Sequence, residues 1–257
     1  MQYLIVCLVA LLGSGLTLVS GFGLGTLLTP VFGLFFPLEM AIAMTGIVHF
    51  LNNFFKLALV GRYVDWSIVL KFGTPSVLAA FLGAFLLKQM STMPALTSWT
   101  YNEHRFEITL IKTIIGILFI LFALWEILPQ LSSISFDKKY LPMGGLLSGF
   151  FGGLLGMQGA LRSAFLIRAG LSKEIFIGTG VVIACLIDLT RLTVYADRWA
   201  KYATTFDFQL IAAATFSAFV GAYFGSKIIT KITVSTVQKL VAGMLFLFAI
   251  LLILGII

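Results

Sequence analysis

The chain has 257 residues, of which 60% are hydrophobic and 11% charged, against roughly 45–50% and about 25% in an ordinary soluble domain. With a mean hydropathy of +1.08, this excludes a soluble globule, a disordered chain and a secreted disulfide scaffold, and points to an all-α polytopic membrane protein. The net charge of +7 fits basic loops held on one side of a bilayer better than a nucleic-acid surface.

Apolar segments run over 3–36, 38–60, 67–88, 106–128, 141–168, 173–196, 207–229 and 235–257, most near the ~20 residues that span a bilayer as a helix. Leu4 to Leu12, followed by Gly13-Ser14-Gly15, has the look of a signal peptide. Nothing basic precedes Lys56, so it is read as part of the fold. As one helix, residues 3–36 would extend about 51 Å, well beyond a ~30 Å hydrocarbon core. A break is therefore expected at Gly21-Phe22-Gly23-Leu24-Gly25.

The second segment places Thr45, His49, Asn52 or Asn53, and Lys56 on one helical face, which should turn inward. His49 is a candidate proton carrier or a buried structural histidine; Lys56 is a gating candidate or a snorkelling side chain. Pro75 should kink the third segment. Trp66, Trp99, Trp125 and Trp199, with Tyr63, Tyr101, Tyr140 and Tyr202, lie near segment ends, as interfacial anchors do. Residues 129–140, which include Ser132, Ser133, Asp137, Lys138 and Lys139, form a linker between a first membrane unit (1–128) and a second (141–257).

The second unit opens with its own break, Gly152-Gly153 and Gly156-Met157-Gln158-Gly159. Arg162 follows within a turn, and Arg168 lies near a loop, where it is read as snorkelling. A charge inside an apolar segment costs about 2.5–3.5 kcal/mol on insertion scales, so Arg162 should face a cavity or a partner such as Asp188. The next segment carries Thr179, Asp188, Arg191 and Tyr195, with Asp188 able to pair with Arg191, Lys56 or Arg162. Cys7 and Cys185 lack a spacing that suggests a disulfide or zinc site.

The units echo one another. Asp65-Trp66-Ser67-Ile68 and Leu82-Gly83-Ala84 match Asp207-Phe208-Gln209-Leu210 and Phe224-Gly225-Ser226 at an offset of 142, Lys112 with Gly116 matches Lys239 with Gly243 at 127, and Thr45-Gly46 matches Thr179-Gly180. If the broken segments cross, the units are parallel and the basic residues divide 8 to 9. If they turn back, the units are inverted, and Lys88, Arg105, Lys112, Arg191, Arg198 and Lys201 lie opposite the other eleven of the 17. The second arrangement gives the bias of the positive-inside rule and is preferred, with both termini outside.

The ordered set of a glycine-rich break in each half, Pro30 and Pro37, Ala41 to Thr45, Tyr63 to Trp66 and Leu82 to Ala84 resembles the TauE/SafE sulfite exporter family, also called the 4-toluenesulfonate uptake permease family. The resemblance spans nearly the whole chain. It implies secondary transport, by export or import, of small sulfur-containing anions such as sulfite, sulfoacetate or other organosulfonates. The family's Gly-x-Gly-Gly-Gly cluster appears here as Gly21-Phe22-Gly23-Leu24-Gly25 and Gly156-Met157-Gln158-Gly159-Ala160, and Leu161-Arg162-Ser163 stands where apolar residues and a proline are usual.

Half-helices starting near Gly25 and Gly159 would offer an anion two sets of unpaired N–H groups and two positive dipole ends. The alternative is that the glycines serve only close helix packing. The substrate-binding candidates are Gly23, Gly25, Thr26, Asn52, Asn53, Gln158, Gly159, Arg162 and Ser163. The coupling or gating candidates are His49, Lys56, Asp188 and Arg191. No catalytic group, metal ligand set or cofactor is expected, so the chain reads as a non-enzyme. A passive anion channel is the main rival reading and an intramembrane redox enzyme a weaker one. The expected setting is a bacterial cytoplasmic membrane; the sequence leaves proton coupling and a homodimer open.

Overall fold

A computed structural model describes residues 1–20, 23–132, 134–202, 206–228 and 234–257. Gly21 and Phe22 of the first glycine run and Ser133 of the linker lie outside the described residues, as do the side chains of Trp199 and Tyr202. The helices are α1 (Gln2–Ser20), α2 (Leu24–Gly33), α3 (Leu38–Val60), α4 (Trp66–Ile68), α5 (Thr74–Met90), α6 (Leu110–Ile127), α7 (Pro129–Ser132), α8 (Leu141–Leu155), α9 (Gly159–Leu166), α10 (Lys173–Tyr202), α11 (Phe208–Ile228) and α12 (Val234–Ile253). A π turn at Val69–Gly73 joins α4 to α5. Among the described residues, five spans are long and apolar enough to cross a membrane: Leu38–Val60, Trp66–Met90, Leu110–Ile127, Lys173–Ala196 and Phe208–Gly225. The chain is an all-α multi-pass membrane protein.

Local chemistry sets the helix ends. Asp65 Oδ1 accepts from the Ile68 amide at 3.1 Å, and Asp207 Oδ1 accepts from the Leu210 amide at 2.8 Å, so the matched aspartates of the two halves are matched N-caps. Pro75 has no N–H to return to the preceding turn, and the irregularity takes the form of the π turn just before it. Gly156, at φ +76°, ends α8 in the left-handed conformation that glycine tolerates best.

Both broken segments turn back on themselves. In a straight helix Gly13 and Leu27 would be about 21 Å apart. Instead, a Cβ on Gly13 would lie 2.9 Å from Leu27 Cδ1 and 3.0 Å from Leu24 Cδ1. Likewise Gly144 of α8 lies against the Phe165 ring of α9.

The contacts between halves are reciprocal. α1 packs along α11 and α8 along α5, while α3 pairs with α10 and α6 with α12. At one end Tyr3 Oη donates to Asp207 Oδ1 (2.8 Å), and Trp99 Nε1 donates to the Leu254 carbonyl (2.7 Å), gathering both termini there. At the other end the Asp65 amide donates to Thr179 Oγ1 (2.9 Å), and Phe136 of the linker stacks on Phe165 with ring centroids 4.2 Å apart. Apolar side chains left exposed, among them Leu4, Leu8, Leu78, Phe81, Phe216 and Leu247, form a surface suited to lipid.

One stretch differs from expectation. The fourth apolar segment was read as starting at 106, but Ala95–Tyr101 (β1) and His104–Thr109 (β2) form an antiparallel hairpin and the helix begins only at Leu110. Asn102 and Glu103 have φ of +45° and +64°, as a tight two-residue hairpin turn requires, and Trp99 stacks on Phe106 at 4.5 Å.

Candidate functional site

The two breaks meet in the middle of the molecule. A Cβ on Gly25 would lie 2.7 Å from the Gly156 carbonyl oxygen, and one on Gly23 would lie 3.8 Å from the Gly159 amide nitrogen. Larger residues would hold the breaks apart. The start of α2 therefore faces the start of α9, bringing together two sets of amides that have no intrahelical acceptor.

Beside this junction lies a cavity of about 40 Å³, room for two or three water molecules. Its polar lining is Thr17, Gly23, His49, Asn53, Lys56 and Arg162; Leu24, Phe176, Ile177, Gly180 and Val181 complete the wall. Lys56 is 4% exposed and His49 2%. Arg162, Phe176 and Ile177 are partly exposed, so the cavity approaches solvent along α9 and the first turns of α10.

A hydrogen-bonded network anchored on Asp188 backs the cavity. His49 Nδ1 lies 2.6 Å from Asp188 Oδ2, leaving Nε2 facing Gly23. Asn53 Nδ2 donates to the same Asp188 oxygen at 3.4 Å. Asp188 Oδ1 accepts from Gln158 Nε2 at 3.2 Å and from Arg191 Nε at 3.0 Å, with Arg191 Nη2 at 2.9 Å. Gln158 Oε1 in turn accepts from Arg162 Nη1 at 3.3 Å, and Ser148 Oγ donates to the Gln158 carbonyl at 3.1 Å. Asp188, Arg191 and Gln158 are fully buried, so each donor and acceptor they leave unmatched is costly.

Two cations stand outside that balance. Among the described residues Arg162 meets the Gln158 amide oxygen and no carboxylate. Lys56 donates to Asn52 Oδ1 at 3.2 Å once the Asn52 amide is oriented to suit Ser14 and the Ala218 carbonyl, and among the described residues it has no ion pair either. The snorkelling alternative for Lys56 is corrected, because its ammonium is buried one turn inside α3. The Arg162–Asp188 alternative is also corrected: Arg191, three residues along the same helix, holds the carboxylate.

The cavity thus unites Gly23, His49, Asn53, Lys56 and Arg162. Gly25 and Gly159 belong to the junction, and Gln158, Asp188 and Arg191 to the network behind it. Asn52 is bound up with Ser14 and Lys56, while Thr26 is buried in α2 and Ser163 is half-buried on α9; neither of the last two lines the cavity. Tyr195 donates to the Gly153 carbonyl at 2.7 Å and does not join Asp188. Among the described residues Arg191 Nη1 and Thr45 Oγ1 are buried without a hydrogen-bond partner, the former beside Gly156. Sequence reasoning passed over Ser14 and Thr17. Their only signal was polar side chains three apart in an apolar helix.

Among the described residues no three His, Cys, Asp or Glu side chains group to hold a metal ion, and Cys7 and Cys185 are free thiols. No curated protein and no solved structure matches the chain. The sulfite exporter TauE/SafE family model matches residues 6–252. Taken with the helical membrane fold, that match means the chain belongs to the TauE/SafE sulfite exporter family.

Proposed function

We propose that the protein is a secondary active transporter of a small sulfur-containing anion, sulfite or an organosulfonate such as sulfoacetate, and that the anion binds in the cavity between Lys56 and Arg162. One observation carries this reading: two cations without carboxylate partners line a single cavity at the meeting point of two half-helix N-termini. A buried Lys56 beside a half-buried Arg162, with no carboxylate partner for either among the described residues, is costly, and an oxyanion relieves that cost while also accepting from the Asn53 amide and the Gly23 region.

Movement of the anion follows an alternating-access cycle of two inverted units, 1–128 and 141–257, joined by the 129–140 linker. The reciprocal packing of α1 on α11 and α8 on α5 and the matched Asp65 and Asp207 caps support the repeat. In this cycle the Gly25–Gly156 contact is the closed gate. Its opening offers the anion the unpartnered Nη1 of Arg191. His49, with Nδ1 held by Asp188 and Nε2 toward the cavity, is suited to carry a proton with the anion. The termini lie on the outer face and the linker on the cytoplasmic face of a bacterial inner membrane, in keeping with the eleven-to-six bias of basic residues.

Purified protein in liposomes should take up labelled sulfite in response to a proton gradient, and Arg162→Ala should abolish that uptake while the protein still folds. Unchanged uptake by the variant would remove Arg162 from the site. Wild-type uptake that ignores the gradient would favour a channel.

A further inference from the structure

We infer that the ion held in this cavity carries two negative charges rather than one, a conclusion that stands only if the cavity binds the transported anion. The basis is a count of charge. Among the described residues Asp188 is the one carboxylate in the network behind the cavity, and Arg191 matches it at 2.9 Å. The remaining donors to Asp188, Asn53 and Gln158, are neutral amides. Lys56 and Arg162 are left as two positive charges on one cavity with only amide oxygens as partners. With both side chains protonated the site is short of two negative charges, and a proton on His49 would add to that excess.

In a water-poor interior such an imbalance is expensive, and like charges sharing a cavity repel more strongly than in water. A monoanion leaves one cation uncompensated. A zwitterion such as an aminoalkanesulfonate does worse, since its ammonium adds a third positive charge. A dianion closes the balance, and a cavity of about 40 Å³ favours one whose two charges share a compact head group, as in fully deprotonated sulfite.

The test is a pair of ligands matched in shape and different in charge. Sulfite and methanesulfinate both have a pyramidal sulfur, and at mildly alkaline pH the first is a dianion and the second a monoanion. Binding to the detergent-purified protein is measured by calorimetry, and proteoliposome uptake of each is measured alongside. Wild type should prefer sulfite by at least about tenfold. Lys56→Met, which removes one charge, should lose most of that preference, and Arg162→Gln is the parallel variant if Lys56→Met does not fold. Equal binding of the two ligands by wild type would overturn the charge assignment while leaving the anion site intact. Binding of neither would overturn the anion site itself and the inference with it. A sulfite preference that survives in a folded variant would show that Lys56 and Arg162 are not its source, and would also overturn the inference.

Discussion

The two glycine-broken hairpins share a backbone device but differ in side-chain chemistry. α1–α2 turns back at Gly23 and presents α2, ten residues without a charge and buried at every position. α8–α9 turns back at Gly156 and presents α9, which carries Arg162 and Ser163 and is preceded by Gln158. The helices that follow reverse the imbalance only in part: α3 supplies His49, Asn53 and Lys56, and α10 supplies Asp188 and Arg191. The two hairpins thus share a backbone geometry, while the charges differ, so that α3 contributes Lys56 and α9 contributes Arg162 to the lining of one cavity. Asp188 and Arg191 pair with each other, and on the proposed function Lys56 and Arg162 are left for a ligand.

This contrast is open to direct attack. The largest effect should come from Asp188→Asn, which strands Arg191 in the interior and should cost about 3–5 kcal/mol. Arg162→Gln, which breaks no ion pair, should unfold within about 1 kcal/mol of wild type. Thermal unfolding in detergent measures both, and similar losses would erase the division between structural and ligand-binding charges. Next in size are the glycines at the junction. Gly156→Ala must hold a positive φ and displace Arg191, at a cost of about 1–3 kcal/mol. Gly25→Ala would bring its Cβ within 2.7 Å of the Gly156 carbonyl oxygen, a backbone atom that cannot swing aside, and should cost about 1–3 kcal/mol by forcing the two breaks apart. Gly243→Ala, with nothing within 4 Å, should be neutral or slightly stabilising. The smallest difference separates the matched threonines. Thr179→Val removes the acceptor for the Asp65 amide and should cost about 1 kcal/mol, whereas Thr45→Val removes a hydroxyl that is already unpartnered and should cost nothing. The reverse order would mean that Thr45 has a partner in the folded membrane protein.

Much of this architecture was legible from spacing alone. Length against bilayer thickness demanded the first break and the glycine run at 152–159 marked the second, and the helices after them begin at Leu24 and Gly159, next to the expected Gly25 and at Gly159. Helical periodicity placed Thr45, His49, Asn52, Asn53 and Lys56 on an inward face, and all are buried. The three-residue spacing of Asp188 and Arg191 foreshadowed their ion pair. What periodicity does not reach is contact between distant segments. The approach of His49 to Asp188 spans 139 positions, and the meeting of Gly25 with Gly156 follows from both hairpins turning back, which no local signal encodes. The β-hairpin is hard to read in the sequence because β1 is exposed along nearly all its length, and the short Phe106-Glu107-Ile108 alternation of β2 runs straight into the apolar run of α6. Lys56 lay close enough to a helix end for an interfacial position, and only the packing of α3 between α10 and α11 buries it.

The central claim is that the anion lies between Lys56 and Arg162. Selenite has the shape and charge of sulfite and a selenium atom that scatters anomalously. In crystals soaked with selenite, the account predicts one selenium peak in the cavity beside Gly23, within hydrogen-bonding reach of Lys56 Nζ and the Arg162 guanidinium. A peak elsewhere, for example in the larger cavity of about 330 Å³ lined by Glu39, Thr109 and Lys112, with none between Lys56 and Arg162, would contradict it.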